Sequence, residues 1–305
     1  MAQVAGAPAP SRVQREWREW LLFIALAGPN LLLFVIFNYR PLVYNAYLSF
    51  YDWDFLSPVK IPVGFENYVD VITDPHFHRV LQNTIVFMLG GVCLTIAIGL
   101  ALALLLNQKL AGRNAARSVL FAPYVLSGAA IAVVWVYIFD PTYGLIRQIV
   151  GPLGLIPPTW LRDQFWAMPA VIIVYTWKNV GYTMVICLAG LQAIPRELYE
   201  AATTDGANAW GRFRHVTIPG LAPITLFLLV TGILASFQTF DLIHVLTRGG
   251  PVDATSTMVY YLYEQGFIAF KAGNAGVAAV LQFIFLFIVT LIQIRYIERR
   301  VTYAA

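Results

Sequence analysis

Long apolar runs alternate with shorter polar segments along most of the chain. No charged residue lies between Trp20 and Tyr39, and similar runs recur further on, with Lys178 as the one charge inside a run. About 20 apolar residues in a helix cross a hydrocarbon core of about 30 Å. The pattern therefore predicts an all-α polytopic membrane protein with six transmembrane helices, at residues 20–39, 81–106, 118–139, 168–190, 221–240 and 273–294.

Polar segments bound this predicted transmembrane domain, which covers residues 20–294. Residues 1–19 and 295–305 are predicted tails, and residues 191–219 form a polar loop between the fourth and fifth spans. A secretory signal peptide is the rival interpretation of the first run. That run is long for a signal peptide, no small-residue cleavage site follows it, and more spans come after it. We expect an uncleaved first helix, kinked at Gly28-Pro29.

The basic residues indicate how the chain is oriented. Six spans put both termini on one side, and Lys and Arg are enriched in cytoplasmic segments. With the N-terminus inside, the cytoplasmic segments hold more than half of the twenty basic residues: Arg12, Arg15, Arg18, Lys109, Arg113, Arg117, Arg196, Arg212, Arg214, Arg295, Arg299 and Arg300. We therefore predict that both termini and the 191–219 loop are cytoplasmic. Attraction of these residues to anionic membrane lipids is compatible with the same orientation.

Composition supports a membrane protein and removes several classes of function. The chain is 59% hydrophobic and 12% charged, with a mean hydropathy of +0.68, whereas soluble domains are roughly 25% charged. Its basic residues lie at helix ends rather than on one face, so we predict no nucleic-acid partner. There is no phosphate-binding Gly-x-x-x-x-Gly-Lys-Ser/Thr loop, so ATP hydrolysis is not expected in this chain.

Neither a catalytic centre nor a metal centre is expected. Cys93 and Cys187 lie in apolar runs and are predicted to pack rather than to pair or bind metal. The four histidines are scattered without ligand spacing, and no paired base and nucleophile is found. We therefore predict no cofactor, no metal and no enzymatic activity.

The positions of the carboxylates test whether the chain is an ion-coupled transporter. Ion-coupled transporters usually keep titratable groups inside their spans. Here the acidic residues lie in loops or at span ends, with Asp241 closest to the membrane. The pattern weakens an ion-coupled secondary transporter, which we keep as the alternative from a different class.

The 191–219 loop carries helix start and stop signals. Pro195 suits the first turn of a helix, where a missing N–H has no cost. Asp205-Gly206 is typical of a helix end, because glycine adopts the left-handed cap conformation. Asn208 is a suitable N-cap for a second short helix, and Pro219 marks the entry to the next span. We therefore predict two short helices separated by a tight turn.

This stretch resembles the EAA loop of ABC importer permeases. The matching positions are Glu200-Ala201-Ala202, then Gly206, then Val216-Thr217-Ile218-Pro219. The resemblance implies a type I ABC importer permease fold in the bacterial cytoplasmic membrane, with the loop as a coupling helix that docks on an ATPase. The coupling residues it implies are Glu200, Ala201, Ala202, Asp205, Gly206, Ala207 and Pro219. A hairpin that merely joins two spans is the simpler alternative.

The resemblance extends beyond the loop. It includes Gly64-Phe65-Glu66-Asn67-Tyr68, Leu191-Gln192-Ala193-Ile194-Pro195 and Thr247-Arg248-Gly249-Gly250-Pro251. These segments resemble the carbohydrate-uptake branch. The nearest likeness is to the first permease subunit of glycerol-3-phosphate (glycerophosphodiester) importers, and it is carried by Trp177-Lys178, Gly249-Gly250-Pro251-Val252 with Ala254-Thr255, and Arg295-Tyr296-Ile297-Glu298. The implied partners are a second homologous permease, two copies of an ATP-binding subunit and an extracytoplasmic substrate-binding protein. A permease for a neutral oligosaccharide is the alternative within the family.

Lys178 is the candidate substrate contact. Intramembrane charges are expensive and indicate a polar cavity or pathway by default. The functional interpretation is a contact to a substrate phosphate oxygen; the structural alternative is pairing with a buried polar group or snorkelling to an interface. For Gln238 and Asp241, interhelical hydrogen bonding is the alternative. The predicted pathway residues are Trp177, Lys178, Asn179, Tyr182, Gln238 and Asp241.

Overall fold

The structure is a computed structural model that describes residues 12–300, with side-chain environments for residue 17 and residues 19–295. The outermost parts of both predicted tails therefore lie outside the described residues. The helices are α1 (Arg12–Phe34), α2 (Arg40–Leu48), α3 (Glu66–Thr73), α4 (Pro75–Leu106), α5 (Arg113–Val125), α6 (Gly128–Ile138), α7 (Leu145–Val150), α8 (Ala167–Ala193), α9 (Arg196–Thr204), α10 (Ala209–Arg212), α11 (Ile218–Gly220), α12 (Ala222–Phe237), α13 (Phe240–Leu246), α14 (Met258–Tyr263) and α15 (Ala272–Arg300).

Shorter elements complete the chain. A π-helical turn at Val35–Tyr39 joins α1 to α2, and similar turns occupy Phe213–Thr217 and Glu264–Ile268. One antiparallel pair of two-residue strands, β1 (Tyr51–Asp52) and β2 (Ile61–Pro62), follows α2. The predicted all-α class is therefore confirmed, with this small hairpin as the strand content of the described residues.

The bundle forms around α4 and α8, which pack along each other. Glycines allow the close approach: a β-carbon on Gly99 would lie 2.8 Å from the β-carbon of Thr183. A β-carbon on Gly181 would overlap the backbone carbonyl of Leu120, so α5 and α8 touch through their backbones. Small residues at such crossings are how membrane helices gain packing without a hydrophobic drive.

Two of the predicted spans are bent. α5 and α6 meet at 103°, because Leu126 and Ser127 between them adopt extended backbone. The α10–α11 segment meets α12 at 60°. Pro223, in the first turn of α12, lacks the N–H that would continue the helix and accounts for this bend.

The described residues thus contain four continuous helices that are long and apolar enough to span a membrane, or six if each bent pair is one span. The helix bounds differ from the predicted spans at their ends. α1 already includes Arg12, the first residue that the structure describes. α4 begins at Pro75, because an Asp74 carboxylate caps it by accepting from the N–H of His76. The segment predicted as the third span, 118–139, is two helices rather than one.

Candidate coupling stretch and translocation cavity

The coupling stretch, residues 195–219, is two short helices around a tight turn. α9 begins at Arg196, so Pro195 precedes the first helical residue instead of occupying the first turn. Gly206 has a φ of +80°, the left-handed conformation expected for it. The N–H of Gly206 donates to the Thr203 carbonyl at 3.0 Å, and the N–H of Ala207 donates to the Ala202 carbonyl at 2.9 Å. These two bonds form the Schellman arrangement, which satisfies the last carbonyls of α9.

The second half of the stretch is also held locally. The Asn208 side chain accepts from the N–H of Gly211 at 2.8 Å, which is the predicted N-cap of α10. Arg212 Nη1 donates to the Ala207 carbonyl at 3.0 Å. A hydrogen bond of 3.0 Å between the Tyr199 and Thr217 hydroxyl groups then joins the two halves. Contacts within the stretch therefore determine its shape.

The stretch presents a polar and partly aromatic surface. Glu200, Ala201, Asp205, Gly206 and Pro219 are exposed, and Ala202 and Ala207 are half-buried. Trp210 is 65% exposed and packs against the ring of Phe213 at 5.4 Å between centroids. An exposed indole on a loop that is internally satisfied is typical of a contact surface.

A first cavity, of about 120 Å³, lies between α4, α5, α8 and α12. Its polar lining consists of hydroxyl groups and one amide, from Thr95, Tyr124, Tyr175, Asn179, Tyr182, Thr183 and Thr231. Tyr124 and Tyr182 stack at 4.7 Å with 15° between their planes. Such a wall offers hydrogen-bond donors and acceptors together with an aromatic face.

A second cavity, of about 160 Å³, shares Tyr175 and Asn179 with the first. It brings together four of the six predicted pathway residues, Lys178, Asn179, Gln238 and Asp241. Tyr182 lines the first cavity instead. Trp177 lies in neither lining: it is 43% exposed and packs edge-on against Trp135, with 5.6 Å between ring centroids.

Lys178 is half-buried in the wall of the second cavity. Its Nζ donates to the Tyr124 carbonyl at 3.3 Å and lies 5.5 Å from the centre of the Tyr124 ring. Lys178 therefore pairs with a polar group, as in the structural alternative, and also lines the cavity, as in the functional interpretation. The ammonium has further donors free for a solute, since one bond uses one of three.

The sequence pattern missed most of the first cavity. Tyr124, Thr95, Thr183 and Thr231 lie in apolar runs as isolated polar residues, and none stands out by spacing. They converge because α4, α5, α8 and α12 pack together. A search for polar residues one helical turn from Asn179 on α8 would have found Thr183, but no sequence signal points to the three residues on the other helices.

A turn around Asp253 is tied to the N-terminal part of α4. Asn83 Nδ2 donates to the Asp253 carbonyl, and His76 Nε2 lies 3.7 Å from the Asp253 carboxylate and 3.9 Å from that of Glu264. Burial raises the pKa of Glu264 above its ordinary value, and the nearby His76 opposes this shift. Sequence reasoning found these histidines scattered, whereas His76 meets two carboxylates in the fold.

Comparison with known proteins settles the family. Residues 95–303 match the family described as "Binding-protein-dependent transport system inner membrane component". The chain is 34% identical over 282 residues to the sn-glycerol-3-phosphate transport system permease protein UgpA of Brucella abortus biovar 1 (strain 9-941), covering 92% of this chain and 95% of that one. This chain belongs to the binding-protein-dependent transport permeases. The predicted family is therefore confirmed, and the ion-coupled transporter is set aside.

Other relatives of this permease agree. The probable ABC transporter permease protein PH1215 of Pyrococcus horikoshii (strain ATCC 700860 / DSM 12428 / JCM 9974 / NBRC 100139 / OT-3) is 37% identical over 256 residues, covering 83% of this chain and 88% of the relative. The fold matches a chain of a bacterial ABC transporter involved in alginate import, with a TM-score of 0.81, 24% identity, and 94% and 99% of the two chains covered. The protein is thus a multi-pass inner-membrane transport component with the type I importer permease fold, and not an enzyme.

Proposed function

We propose that this permease forms half of the translocation pathway of an ATP-driven importer. The other half comes from a second, homologous permease, with two ATP-binding subunits on the cytoplasmic side and an extracytoplasmic binding protein that delivers the solute. The observation that carries the proposal is the polar cavity system between α4, α5, α8, α12 and α13, in a bundle whose outer surface is apolar. A polar cavity inside a membrane bundle is where a hydrophilic solute passes.

The proposed solute is glycerol 3-phosphate or a glycerophosphodiester. Relatives that are 32–34% identical over most of the chain carry the name sn-glycerol-3-phosphate permease. Hydroxyl groups in the first cavity suit a glycerol moiety, and Lys178 provides one positive charge for a phosphate oxygen.

A neutral oligosaccharide is the second candidate. The observation that favours it is Asp241, which lines the second cavity together with Lys178. The formal charges of these two side chains cancel, so the wall contributed by this chain carries no net charge for an anion. The stacked Tyr124 and Tyr182 rings also suit the apolar face of a sugar.

The coupling stretch is proposed to dock on the ATP-binding subunit through Glu200, Ala201, Ala202, Asp205, Gly206, Ala207 and Pro219. Its internal hydrogen bonds support this role, because an element that transmits force between subunits must not deform under load. ATP and the binding protein together would bias an inward-to-outward switch, and the stretch would carry that bias between subunits.

The proposed orientation puts both termini and the coupling stretch in the cytoplasm. A reporter that is active only in the cytoplasm should work when fused after Arg300 or inserted near Asn208. The same reporter should be silent near Ser57. A strong cytoplasmic signal at Ser57 would contradict the orientation.

The function is tested with the assembled complex in proteoliposomes. ATP hydrolysis is measured with the purified binding protein and, separately, glycerol 3-phosphate, glycerophosphocholine and a neutral oligosaccharide. We expect stimulation by the phosphate-bearing solutes. Stimulation by the oligosaccharide alone would select the second candidate, and failure of any ATPase to co-purify would refute the importer.

A further inference from the structure

The contact between α6 and α13 includes a close approach of a glycine and a carboxylate. The Asp241 carboxylate occupies the space where a β-carbon on Gly128 would lie. Gly128 is the first residue of α6 and is buried, while Asp241 is in the first turn of α13. One carboxylate therefore lies at the N-terminal ends of two helices.

The N-terminus of α6 has particular need of such a partner. The 103° bend at Leu126 and Ser127 separates this end from α5, and the Ser127 side chain makes no capping bond. The first N–H groups of a helix lack intrahelical acceptors, and a negative charge beside them is favourable. At α13 the same carboxylate accepts from the N–H of Leu242 at 2.9 Å.

The apolar contacts around this carboxylate continue the junction. Ile131 and Ala132 of α6 share a buried cluster with Leu242, Ile243 and Leu246 of α13. The carboxylate is thus the polar end of a packed interface between two helices.

The same carboxylate also affects the pathway. Asp241 lines the second cavity with Lys178 and Gln238, so its charge opposes that of the lysine. Among the described residues no ion pair within 4.0 Å joins Asp241 and Lys178, so both charges act on the cavity without direct mutual neutralisation.

We propose that Asp241 is a positioning and specificity-determining residue, which anchors the N-terminus of α6 to α13 and lowers the electrostatic potential of the cavity. The proposal rests on the proposed function, in that the cavity is taken as part of the pathway. It moves Asp241 from a solute contact to a group that holds the wall and limits the charge of the solutes that enter.

The electrostatic potential of the cavity is measured by the reaction rates of charged thiol reagents, which require neither transport nor ATP. A cysteine replaces Asn179, which lines both cavities, in a complex whose Cys93 and Cys187 are changed to alanine. Reaction rates are compared for an anionic sulfonatoethyl and a cationic trimethylammonioethyl methanethiosulfonate. Asp241→Asn should raise the anionic-to-cationic rate ratio on the order of tenfold, because the reagents respond oppositely to one lost charge. Asp253→Asn, which changes a carboxylate that lines neither cavity, should leave the ratio unchanged.

The anchoring contact is measured by a double-variant cycle on the thermal midpoint of the complex. Gly128→Ala and Asp241→Ala should each lower the midpoint by several degrees, and the pair together should lower it no further than Asp241→Ala alone. Additive losses would refute the contact.

If Asp241→Asn leaves the ratio of the anionic to the cationic reaction rate unchanged, even when both rates change, the specificity role is refuted. If Gly128→Ala fails to assemble, the thermal midpoint of the near-isosteric Asp241→Asn tests the anchor instead, and a midpoint equal to that of the wild type would refute it. The proposed function would fail separately, if no solute stimulated ATP hydrolysis. The reagent ratio is independent of that result, because its measurement needs neither transport nor ATP.

Discussion

The coupling stretch and the cavity differ in how they are built. The stretch is continuous, and its shape depends on bonds between residues a few positions apart, such as Ala207 to Ala202 and Gly211 to Asn208. The cavity is assembled from α4, α5, α8, α12 and α13, and its linings join residues far apart in the chain. Local bonds make an element rigid by itself, whereas a cavity wall is only as well placed as its helices.

This difference predicts different failures. A change in the coupling stretch should leave the bundle assembled and disturb communication with the ATPase. A change at a helix crossing should disturb assembly, and a change of charge in the cavity should alter solute selection.

The largest effect is expected at Gly206. Gly206→Val places a β-branched residue at a φ of +80°, where such side chains are strongly disfavoured. Transport should fall sharply while membrane insertion persists, and the ATPase should either dissociate or lose its response to solute. Ala209→Val is the control, because Ala209 is exposed, lies in α10 and has no left-handed requirement. Normal solute-stimulated transport by Gly206→Val would show that the stretch is not a rigid coupling element.

A smaller effect is expected at Lys178. A charge-assisted hydrogen bond contributes about 1.5–3 kcal/mol, so Lys178→Met should weaken uptake of a phosphate-bearing solute about ten- to a hundredfold. Uptake is measured in proteoliposomes, with assembly checked by co-purification of the ATPase. Lys178→Arg keeps the charge and should retain more activity. If the lysine only holds Tyr124, assembly should fail instead; undiminished uptake by an assembled Lys178→Met complex would exclude the phosphate contact.

Gly181 tests the helix crossing. Gly181→Ala puts a β-carbon into the Leu120 carbonyl, and overpacking of this kind costs about 1–3 kcal/mol. The thermal midpoint of the purified complex should fall. Gly28→Ala, with 3.6 Å to its nearest neighbour, should be tolerated. Equal midpoints for the two variants would mean that α5 and α8 separate readily.

Asn208 tests the local half of the comparison. Loss of an N-cap costs about 1 kcal/mol, so Asn208→Ala should weaken ATPase co-purification slightly. Reagent ratios at a cysteine in place of Asn179 should not change. Asn208→Ser restores an oxygen at the cap and should recover the wild-type behaviour. A change in this ratio would show that the coupling stretch and the cavity are not structurally independent.

The smallest effect is expected at Glu264, away from both regions. Its pKa is raised from an ordinary 4.5 by burial, so the folded state favours the protonated form. Stability from this group is present below the ordinary pKa and is lost as pH rises through the raised value. Glu264→Gln should therefore lose less thermal stability than wild type as the pH rises above about 4.5. The pKa of Asp54 is lowered by a hydrogen bond from the backbone N–H of Ser57, so the stability from this group is lost as the pH falls. Asp54→Asn should therefore lose less thermal stability than wild type when the pH is lowered.

Much of the architecture follows from residue order alone. Apolar runs of about 20 residues have few options besides spanning helices, because backbone groups in lipid must bond within their own helix. The turn at Gly206 and the cap at Asn208 were predictable for a similar reason, since each depends on neighbours within a few residues. The family also followed from local motifs, which are contiguous.

The tertiary structure alone decided the break between α5 and α6, the lining of the first cavity and the place of Asp241 against Gly128. No local pattern marks Tyr124 or Thr231 as neighbours, because their proximity depends on how α5 and α12 pack on α8. Trp177 stays a predicted pathway residue, but it lines neither cavity, because successive residues on a helix point in different directions. Hydrophobic periodicity specifies the helices. Which side chains meet depends on how those helices pack, and no local pattern in the sequence shows this.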